Sequence, residues 1–401
     1  MLTNRQLFLL HLGQTSTAPL MLEIVKAQGI YMYGTDGKKY LDLISGVSVS
    51  NTGHSHPKVI EAVKTQVDAY MHLMVYGEII QSPQVKYAER LTGMLPHQLG
   101  SCYFVNSGSE AVEGALKLAK RVTNRSRVIS FNNSYHGSTH GALSIQGSET
   151  YRNAFRPMLP DTFRIDFNNV QSLESIDNNT ACVIIEPVQA EAGVIYPENG
   201  FLRKIRKRCD STGALLIFDE IQTGFGRTGY MFALDRFDVT PDILLLAKAL
   251  GGGMPLGAFI SSGEIMSSLV SNPPLGHITT FGGHPVCCAA GLASLNVIVE
   301  EDLIKSCNSK SDQFKKELNH PLISEVRGEG LLLAVKLIDS EYTKFIISHA
   351  PDYGLILDYF LFCNDAFRIA PPLTINKDEI SLACRQLKIL LDCAMQNVEK
   401  R

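Results

Sequence analysis

The residue of this sequence best suited to covalent chemistry is Lys248, because apolar residues enclose it. It stands in the run LAKAL at residues 246–250, directly before three consecutive glycines. Burial disfavours a charged amine, so this setting predicts a lowered lysine pKa and a nucleophile that can form a Schiff base with a carbonyl group. A lysine after a strand is more commonly a surface residue with its ammonium in water, so Lys248 alone leaves both interpretations open.

Three other features supply what a carbonyl-bearing cofactor on a lysine would need. Asp219 ends the most apolar run of the chain and could pair with a ring nitrogen, or could cap a helix. The turn NSGSE at residues 106–110 precedes a predicted helix and suits a phosphate, although Ser109 could be a plain N-cap. Residues 135–137 (YHG) offer an aromatic ring, or a polar loop.

Compact apolar runs predict the strands that position these residues. Runs without polar alternation are typical of strands buried on both faces, and a helical pattern at residues 110–121 lies between two of them. Strands that alternate with helices predict an α/β fold with a mostly parallel sheet, and ligands bind at the carboxyl ends of such strands. The predicted strands are residues 102–105, 128–131, 182–185, 214–218 and 243–246.

The pattern of predicted helices and strands changes near residue 290. A helix is predicted over residues 285–299, short strands such as 330–338 follow it, and a final helix covers residues 377–398. We therefore predict a large cofactor-binding domain over residues 46–290 and a smaller α+β domain over residues 291–401. Residues 1–45 are expected to pack with the smaller domain, with a hairpin over residues 29–43 that turns at Asp36-Gly37.

Composition narrows the class of protein. A net charge of −3 and 19% charged residues do not favour a nucleic-acid partner. The short apolar run near the N-terminus predicts an amphipathic helix, with no membrane association. Nine cysteines without a C-x-x-C pair indicate reduced thiols and a cytoplasmic location. The histidine and cysteine spacings predict no metal site.

A nicotinamide-dinucleotide oxidoreductase is the rival enzyme class. Residues 224–229 (GFGRTG) fit the G-x-G-x-x-G pattern after a predicted strand. That fingerprint requires the glycines directly after the strand and an acidic residue about 20 positions later. Here residues 219–223 lie between the strand and the glycines. The position about 20 residues after Gly229 is Ala249, beside Lys248, and is not acidic. The rival is therefore disfavoured.

In order and spacing, the motifs together resemble the class III aminotransferases, the acetylornithine, ornithine and 4-aminobutyrate type. The resemblance runs from about residue 29 to residue 372, through the segments SGSEA (107–111), YHG (135–137), EP (186–187), DEIQTGFGRTG (219–229), Lys248 and TTF (279–281). It implies a fold-type I enzyme that uses pyridoxal 5'-phosphate. It also implies a homodimer whose active sites are shared between the subunits.

The resemblance implies a role for each cofactor residue. Lys248 carries the cofactor and shuttles a proton, and Asp219 pairs with the pyridine nitrogen. Gln222 lies near the phenolic oxygen, Tyr135 stacks on the ring, and Thr280 comes from the partner subunit to complete the phosphate cradle. The full cofactor-binding set is Ser107, Gly108, Ser109, Tyr135, His136, Glu186, Asp219, Gln222, Lys248 and Thr280.

Two further residues match the substrate side of the family. Arg368 corresponds to the arginine that grips the α-carboxylate of glutamate, and a planar guanidinium suits a bidentate carboxylate. Glu191 corresponds to the carboxylate that masks this arginine when the other substrate is bound. The resemblance thus implies two half-reactions, in which an amino donor loads the cofactor and a 2-oxo acid, 2-oxoglutarate, collects the nitrogen as glutamate.

Three residues depart from the family's pattern, and two of them, Ser138 and Val47, concern the donor. Ser138 stands where the ornithine, acetylornithine and 4-aminobutyrate enzymes carry an arginine for the donor's far carboxylate. Val47 stands where the ornithine enzymes carry a tyrosine, and His284 replaces an asparagine. We expect a donor with a terminal amine and no carboxylate at that distance, such as a diamine, or a donor whose carboxylate is held elsewhere. Acetylornithine or ornithine aminotransferase proper, and a racemase or decarboxylase of the same fold, are the alternatives.

Overall fold

A computed structural model describes residues 2–75 and 77–398 of the chain. The strands are β1 (Ile24–Gln28), β2 (Tyr31–Gly34), β3 (Lys39–Asp42), β4 (Ser101–Val105), β5 (Arg127–Phe131), β6 (Thr162–Ile165), β7 (Thr180–Ile185), β8 (Leu215–Asp219), β9 (Ile243–Leu246), β10 (Gly257–Ser261), β11 (Ile323–Glu329), β12 (Leu332–Leu337), β13 (Leu355–Ile356), β14 (Asp358–Phe360) and β15 (Cys363–Ile369).

Helices cover and connect the sheets. They are α1 (Asn4–His11), α2 (Ser45–Ser48), α3 (Pro57–Ala69), α4 (Ser82–Thr92), α5 (Gly108–Thr123), α6 (His140–Ser144), α7 (Glu149–Arg152), α8 (Phe201–Thr212), α9 (Ala233–Phe237), α10 (Gly263–Ser267), α11 (Pro285–Glu300), α12 (Cys307–Glu317), α13 (Ser340–His349) and α14 (Lys377–Val398).

The largest sheet has seven strands in the order β4-β10-β9-β8-β7-β5-β6. Its pairs from β9 to β6 are parallel, whereas β10 runs antiparallel to both of its neighbours. The predicted α/β fold with a mostly parallel sheet is therefore confirmed. Because β4 runs in the same direction as β9, the carboxyl ends of β4, β9, β8 and β7 reach one edge of the sheet.

The apolar runs identified five of the seven strands, each within two residues of the observed bounds. Two strands were missed. In β6, an edge strand, Ile165 is the one fully buried residue, so the sequence has no continuous apolar run there. In β10 all five residues are buried, but an apolar run does not reveal that its strand is antiparallel.

Two four-stranded sheets lie outside the large one, in the orders β1-β2-β3-β13 and β11-β12-β15-β14. The predicted hairpin is confirmed, with β2 antiparallel to β3 and Gly37 at the turn with φ +78°. One apolar core joins Ile30, Leu41 and Leu43 to residues between Cys307 and Ala394. The domain boundaries at residues 46 and 291 stay a prediction, and Met1, Tyr76 and residues 399–401 of those ranges lie outside the described residues.

Candidate active site

A cavity of about 520 Å³ opens at the edge of the large sheet where β4, β7, β8 and β9 end. The polar residues that follow these strands converge on it, as the parallel arrangement predicts. It also receives the loop that leads into β10. Its walls are formed by Val49, Asn106, Ser107, Gly108, Ser109, Tyr135, His136, Gly137, Glu186, Glu191, Asp219, Ile221, Gln222, Thr223, Ala247, Lys248, Gly253, Met254, Pro255 and Leu256.

Lys248 lies at the floor of this cavity, two residues after β9. It begins a short 3₁₀ helix with φ +50°, a backbone conformation that costs a non-glycine residue free energy and that is common at functional sites. Its Nζ donates a hydrogen bond to Gln222 Oε1 at 2.9 Å. Burial lowers the pKa of Lys248 to about 8, so a reactive neutral amine is accessible near neutral pH.

Asp219 ends β8 beside the lysine and is 4% exposed. Its Oδ1 accepts the N–H of Ile221 at 3.1 Å, and its Oδ2 lies 2.7 Å from Nδ1 of the buried His136. Because a carboxylate only accepts hydrogen bonds, the proton of this pair lies on Nδ1. His136 thereby orients Asp219 in the wall of the cavity, where its carboxylate could accept a hydrogen bond from a ring nitrogen.

Glu186 follows β7 and lies in the same wall of the cavity, where it accepts two backbone hydrogen bonds. Its two carboxylate oxygens accept the backbone N–H groups of Tyr135 at 2.9 Å and Ala190 at 3.1 Å. Burial, with the nearby charge of Asp219, raises the pKa of Glu186 to about 7. Glu186 thus fixes the position of the loop that carries Tyr135, whose ring lines the cavity.

The N-terminus of α5 forms a cup on another wall. Ser107 caps the helix by accepting the N–H of Glu110 at 3.2 Å, and the first N–H groups of a helix have no acceptor within it. A Cβ on Gly108 would lie 2.9 Å from Ile221 Cδ1, so a larger residue here would require the Ile221 side chain to shift. Free N–H groups and the positive end of the helix dipole make this cup suitable for a phosphate.

These residues fit pyridoxal 5'-phosphate. The amine of Lys248 would hold the carbonyl carbon, Asp219 the ring nitrogen, and the N–H groups of Gly108 and Ser109 the phosphate. Tyr135 would contact the ring, and Gln222 would lie near the phenolic oxygen. When bound, the cofactor supplies an electron sink that stabilises negative charge on the reacting carbon of the substrate.

Arg368 and Glu191 form a buried ion pair at the side of the cavity. Arg368 Nη2 lies 2.6 Å from Glu191 Oε1, and the two residues are 1% and 6% exposed. Glu191 Oε2 accepts the N–H of Leu361 at 3.2 Å, and the Arg368 guanidinium lies 4.8 Å from the centre of the Phe360 ring. The sequence alone could not show that these residues meet, since they are 177 positions apart.

Five of the residues singled out in the sequence lie outside the cavity lining, namely Val47, Ser138, Thr280, His284 and Arg368, of which Arg368 contacts the lining residue Glu191. Ser138 is exposed, and its N–H donates to Ser109 Oγ at 3.2 Å. Val47 lies in the left-handed turn α2 with φ +64°, and Val49 contributes to the wall instead. Thr280 is exposed, and its assignment to the partner's cradle stays a prediction.

The wall also includes residues that the sequence reading did not identify, namely Val49 and residues 254–256. Residues 254–256 lead into β10, which the apolar pattern failed to reveal. The glycines at 251–253 were the one available signal, since they mark a turn directly after Lys248.

The glycine pattern at residues 224–229 does not open a helix, because α9 begins only at Ala233. Its Arg227 is fully buried and donates to the carbonyl oxygens of Leu331 and Pro371, so the segment is covered by the C-terminal part of the chain. This arrangement leaves no room for a dinucleotide. Within residues 2–75 and 77–398, no helix has the length and apolar character to cross a membrane, and no cluster of metal-binding side chains is found.

Comparison with known proteins identifies the family. The family model for class-III aminotransferases matches residues 13–391. The chain is 39% identical to the acetylornithine aminotransferase of Methanopyrus kandleri over 382 residues, covering 94% of this chain and 95% of that protein. It is 38% identical to the acetylornithine aminotransferase of Methanosarcina acetivorans over 369 residues, covering 90% and 89%.

Solved structures agree with this result. The ornithine aminotransferase of Toxoplasma gondii superposes with a TM-score of 0.90 at 31% identity, covering 98% of this chain and 94% of that one. An amine transaminase from an uncultivated Pseudomonas species, in its PLP-bound form, gives 0.88 at 29% identity, covering 96% and 98%. The fold is fold-type I, and the cofactor is pyridoxal 5'-phosphate. The chain belongs to the class-III aminotransferases.

Proposed function

We propose that this enzyme transfers a terminal amino group from an amino donor to 2-oxoglutarate, giving glutamate. The observation that carries the proposal is the buried ion pair between Arg368 and Glu191 beside Lys248. One site must accept two different substrates in turn. An arginine that is either free to bind a carboxylate or paired with Glu191 can serve both half-reactions.

Arg368 would serve the acceptor. Its Nη1 and Nε are buried and have no hydrogen-bond partner within the described residues, so the guanidinium retains donors for a further oxyanion. A carboxylate of 2-oxoglutarate would displace Glu191 from Nη2 and bind Nη2 together with Nη1 or Nε, in the bidentate manner that a guanidinium favours. With Glu191 back on Arg368, as observed, the arginine is masked for a donor that enters by its terminal amine.

Among the described residues that line the cavity, no arginine is present to bind a distant carboxylate of the donor. The cavity wall holds three carboxylates (Glu186, Glu191 and Asp219), whereas its one lysine is Lys248. Ser138, at the rim, brings a hydroxyl 3.2 Å from the Tyr135 hydroxyl and no positive charge. We therefore favour a donor without a distant carboxylate, such as a diamine. The names of the Methanopyrus and Methanosarcina relatives favour acetylornithine as the second candidate.

In this proposal the side chains divide the work. With the cofactor bound, the Lys248 amine would take the proton from the substrate carbon and return it. Burial lowers the pKa of Lys248 to about 8, which suits this role. Asp219, oriented by His136, would hold the ring nitrogen. Glu186 and Gln222 hold the walls and the lysine in place.

The proposal includes a cytoplasmic homodimer in which Thr280 of one subunit reaches the phosphate cradle of the other. The segment around Thr280 supports it, because Ile278 and Phe281 are 48% and 53% exposed in the single chain. Exposed apolar side chains grouped in this way are typical of surfaces that another protein covers.

A donor panel tests the proposal. Purified enzyme would be assayed for glutamate formed from 2-oxoglutarate with 1,4-diaminobutane, N-acetylornithine and ornithine as donors. We expect glutamate from the diamine and a colourless, inactive Lys248→Ala variant beside a yellow parent. Efficient use of N-acetylornithine with none of the diamine would refute the donor assignment. Decarboxylation or racemisation without glutamate would refute the transfer itself.

A further inference from the structure

Gln222 is hydrogen-bonded at both ends of its side-chain amide. Its Oε1 accepts from Lys248 Nζ at 2.9 Å, and its Nε2 donates to Glu191 Oε1 at 3.4 Å. The same Glu191 oxygen accepts from Arg368 Nη2 at 2.6 Å. A continuous line of polar contacts therefore runs from Arg368 through Glu191 and Gln222 to Lys248.

The direction of the Gln222 amide follows from its neighbours. The carboxylate of Glu191 can only accept, so Nε2 faces it and Oε1 faces Lys248 Nζ. Turning the amide over would set its carbonyl against the carboxylate. Glu191 thus decides which atom Gln222 presents to Lys248.

Burial makes this line sensitive to any change at its far end. Gln222 is 7% exposed, and Glu191 and Arg368 are less exposed still. In such an environment a broken polar contact is costly, because little water is at hand to replace it. Moving Glu191 away from Arg368 therefore also disturbs the contact that holds the Gln222 amide.

We propose that Gln222 is a positioning residue that transmits the state of the Glu191–Arg368 pair to Lys248. The inference rests on the proposed function, in which a dicarboxylate engages Arg368. When Glu191 moves away from its present position, Gln222 Nε2 loses its acceptor and the amide can rotate. Its Oε1 then leaves the lysine amine, so the lysine is held differently in the two half-reactions.

The test is a pH titration of the visible absorbance of the holoenzyme, with and without glutarate, a dicarboxylate that lacks an amino or oxo group. In the wild type, we expect glutarate to shift the midpoint of this absorbance titration by about one pH unit. In Gln222→Met the shift should fall to less than about a third of that value, because methionine keeps the length and loses both contacts. Gln189→Met is the matched control, since Gln189 is also buried but donates to Asn132 O outside this line.

An equal shift in the wild type and Gln222→Met would overturn the inference, because the charge of glutarate would then act through space alone. If Gln222→Met fails to hold the cofactor, Glu191→Gln decides. A neutral amide at 191 no longer dictates the direction of Gln222, so the shift should shrink there too, and an undiminished shift would also overturn the inference. Inhibition of turnover by glutarate distinguishes a failure of the Gln222 role from a failure of the proposed function. If glutarate does not inhibit and no glutamate is formed from 2-oxoglutarate, the proposed function is wrong.

Discussion

Two arginines are among the largest fully buried side chains of this protein, and they are held in different ways. Arg227 Nη1 donates to the carbonyl oxygens of Leu331 at 2.9 Å and Pro371 at 2.5 Å, and its Nη2 contacts Asn51 Oδ1. Arg368 has one charged partner, Glu191, at 2.6 Å. Arg227 is thus held mainly by two backbone carbonyls, which cannot leave. Arg368 also donates to the carbonyl oxygen of Tyr359 at 3.2 Å, but its charged partner is a side chain, which can leave.

The difference separates a structural role from a functional one. Burial without a carboxylate partner lowers the pKa of Arg227 to about 10, and its contacts join the turn after β8 to the C-terminal part of the chain. Arg368 lies next to the cavity, and Glu191, its partner, forms part of the wall. A carboxylate of the substrate could replace the Glu191 carboxylate at little cost, whereas nothing could replace the backbone carbonyls around Arg227.

The largest expected effect is on stability, in Arg227→Leu. Removing the guanidinium leaves three buried acceptors without a donor, so we expect the free energy of unfolding to fall by about 4 kcal/mol. Urea unfolding at fixed protein and cofactor concentration would measure it. The control is Arg203→Leu, an exposed arginine near Asp238, which should change the free energy by less than about 0.5 kcal/mol. A loss below about 1 kcal/mol in Arg227→Leu would erase the contrast between the two arginines.

The next effect is on catalysis, in Arg368→Leu. We expect kcat/KM for 2-oxoglutarate to fall by roughly 100-fold, about 3 kcal/mol, because a charge-assisted contact to the carboxylate is lost. Steady-state kinetics with a carboxylate-free aldehyde acceptor provides the control, and that value should change only a few-fold. Equal losses for both acceptors would show that Arg368, like Arg227, is needed for the fold rather than for recognition.

The smallest effect is expected in Glu191→Gln, which keeps the shape of the side chain and removes its charge. Arg368 would then be unmasked at all times, so KM for 2-oxoglutarate should fall about three- to ten-fold while KM for the amine donor rises. Glu329→Gln is the control, since Glu329 pairs with Arg236 at 2.5 Å and is not part of the cavity wall. A raised KM for 2-oxoglutarate would indicate that Glu191 supports the arginine and does not compete with the substrate.

Much of the site could be predicted because it lies at the ends of strands. Glu186, Asp219 and Lys248 follow apolar runs within one or two residues, and parallel strands bring their carboxyl ends to one edge. The polar turn after β4, with its glycine at 108, indicated the phosphate-binding cup at the N-terminus of α5 in the same way. These features are local in the chain, so residue type and spacing were sufficient to find them.

The limits of the prediction were equally physical. The run at β10 could not reveal an antiparallel strand, because an apolar pattern reports burial and says nothing of partners. Val47 was singled out by the family resemblance, whereas the left-handed turn at residues 45–48 places Val49 at the wall.

By itself, then, the sequence determined the α/β fold, the residues at the strand ends and the chemistry of a lysine beside a carboxylate and a phosphate cup. Only the tertiary structure decided that Arg368 reaches Glu191 across 177 positions and that His136 reaches Asp219 across 83. The reason is that local patterns set which elements form, whereas contacts between distant residues depend on how those elements pack. The contact of Glu191 with Arg368, on which the proposed choice of substrate rests, belongs to that second level.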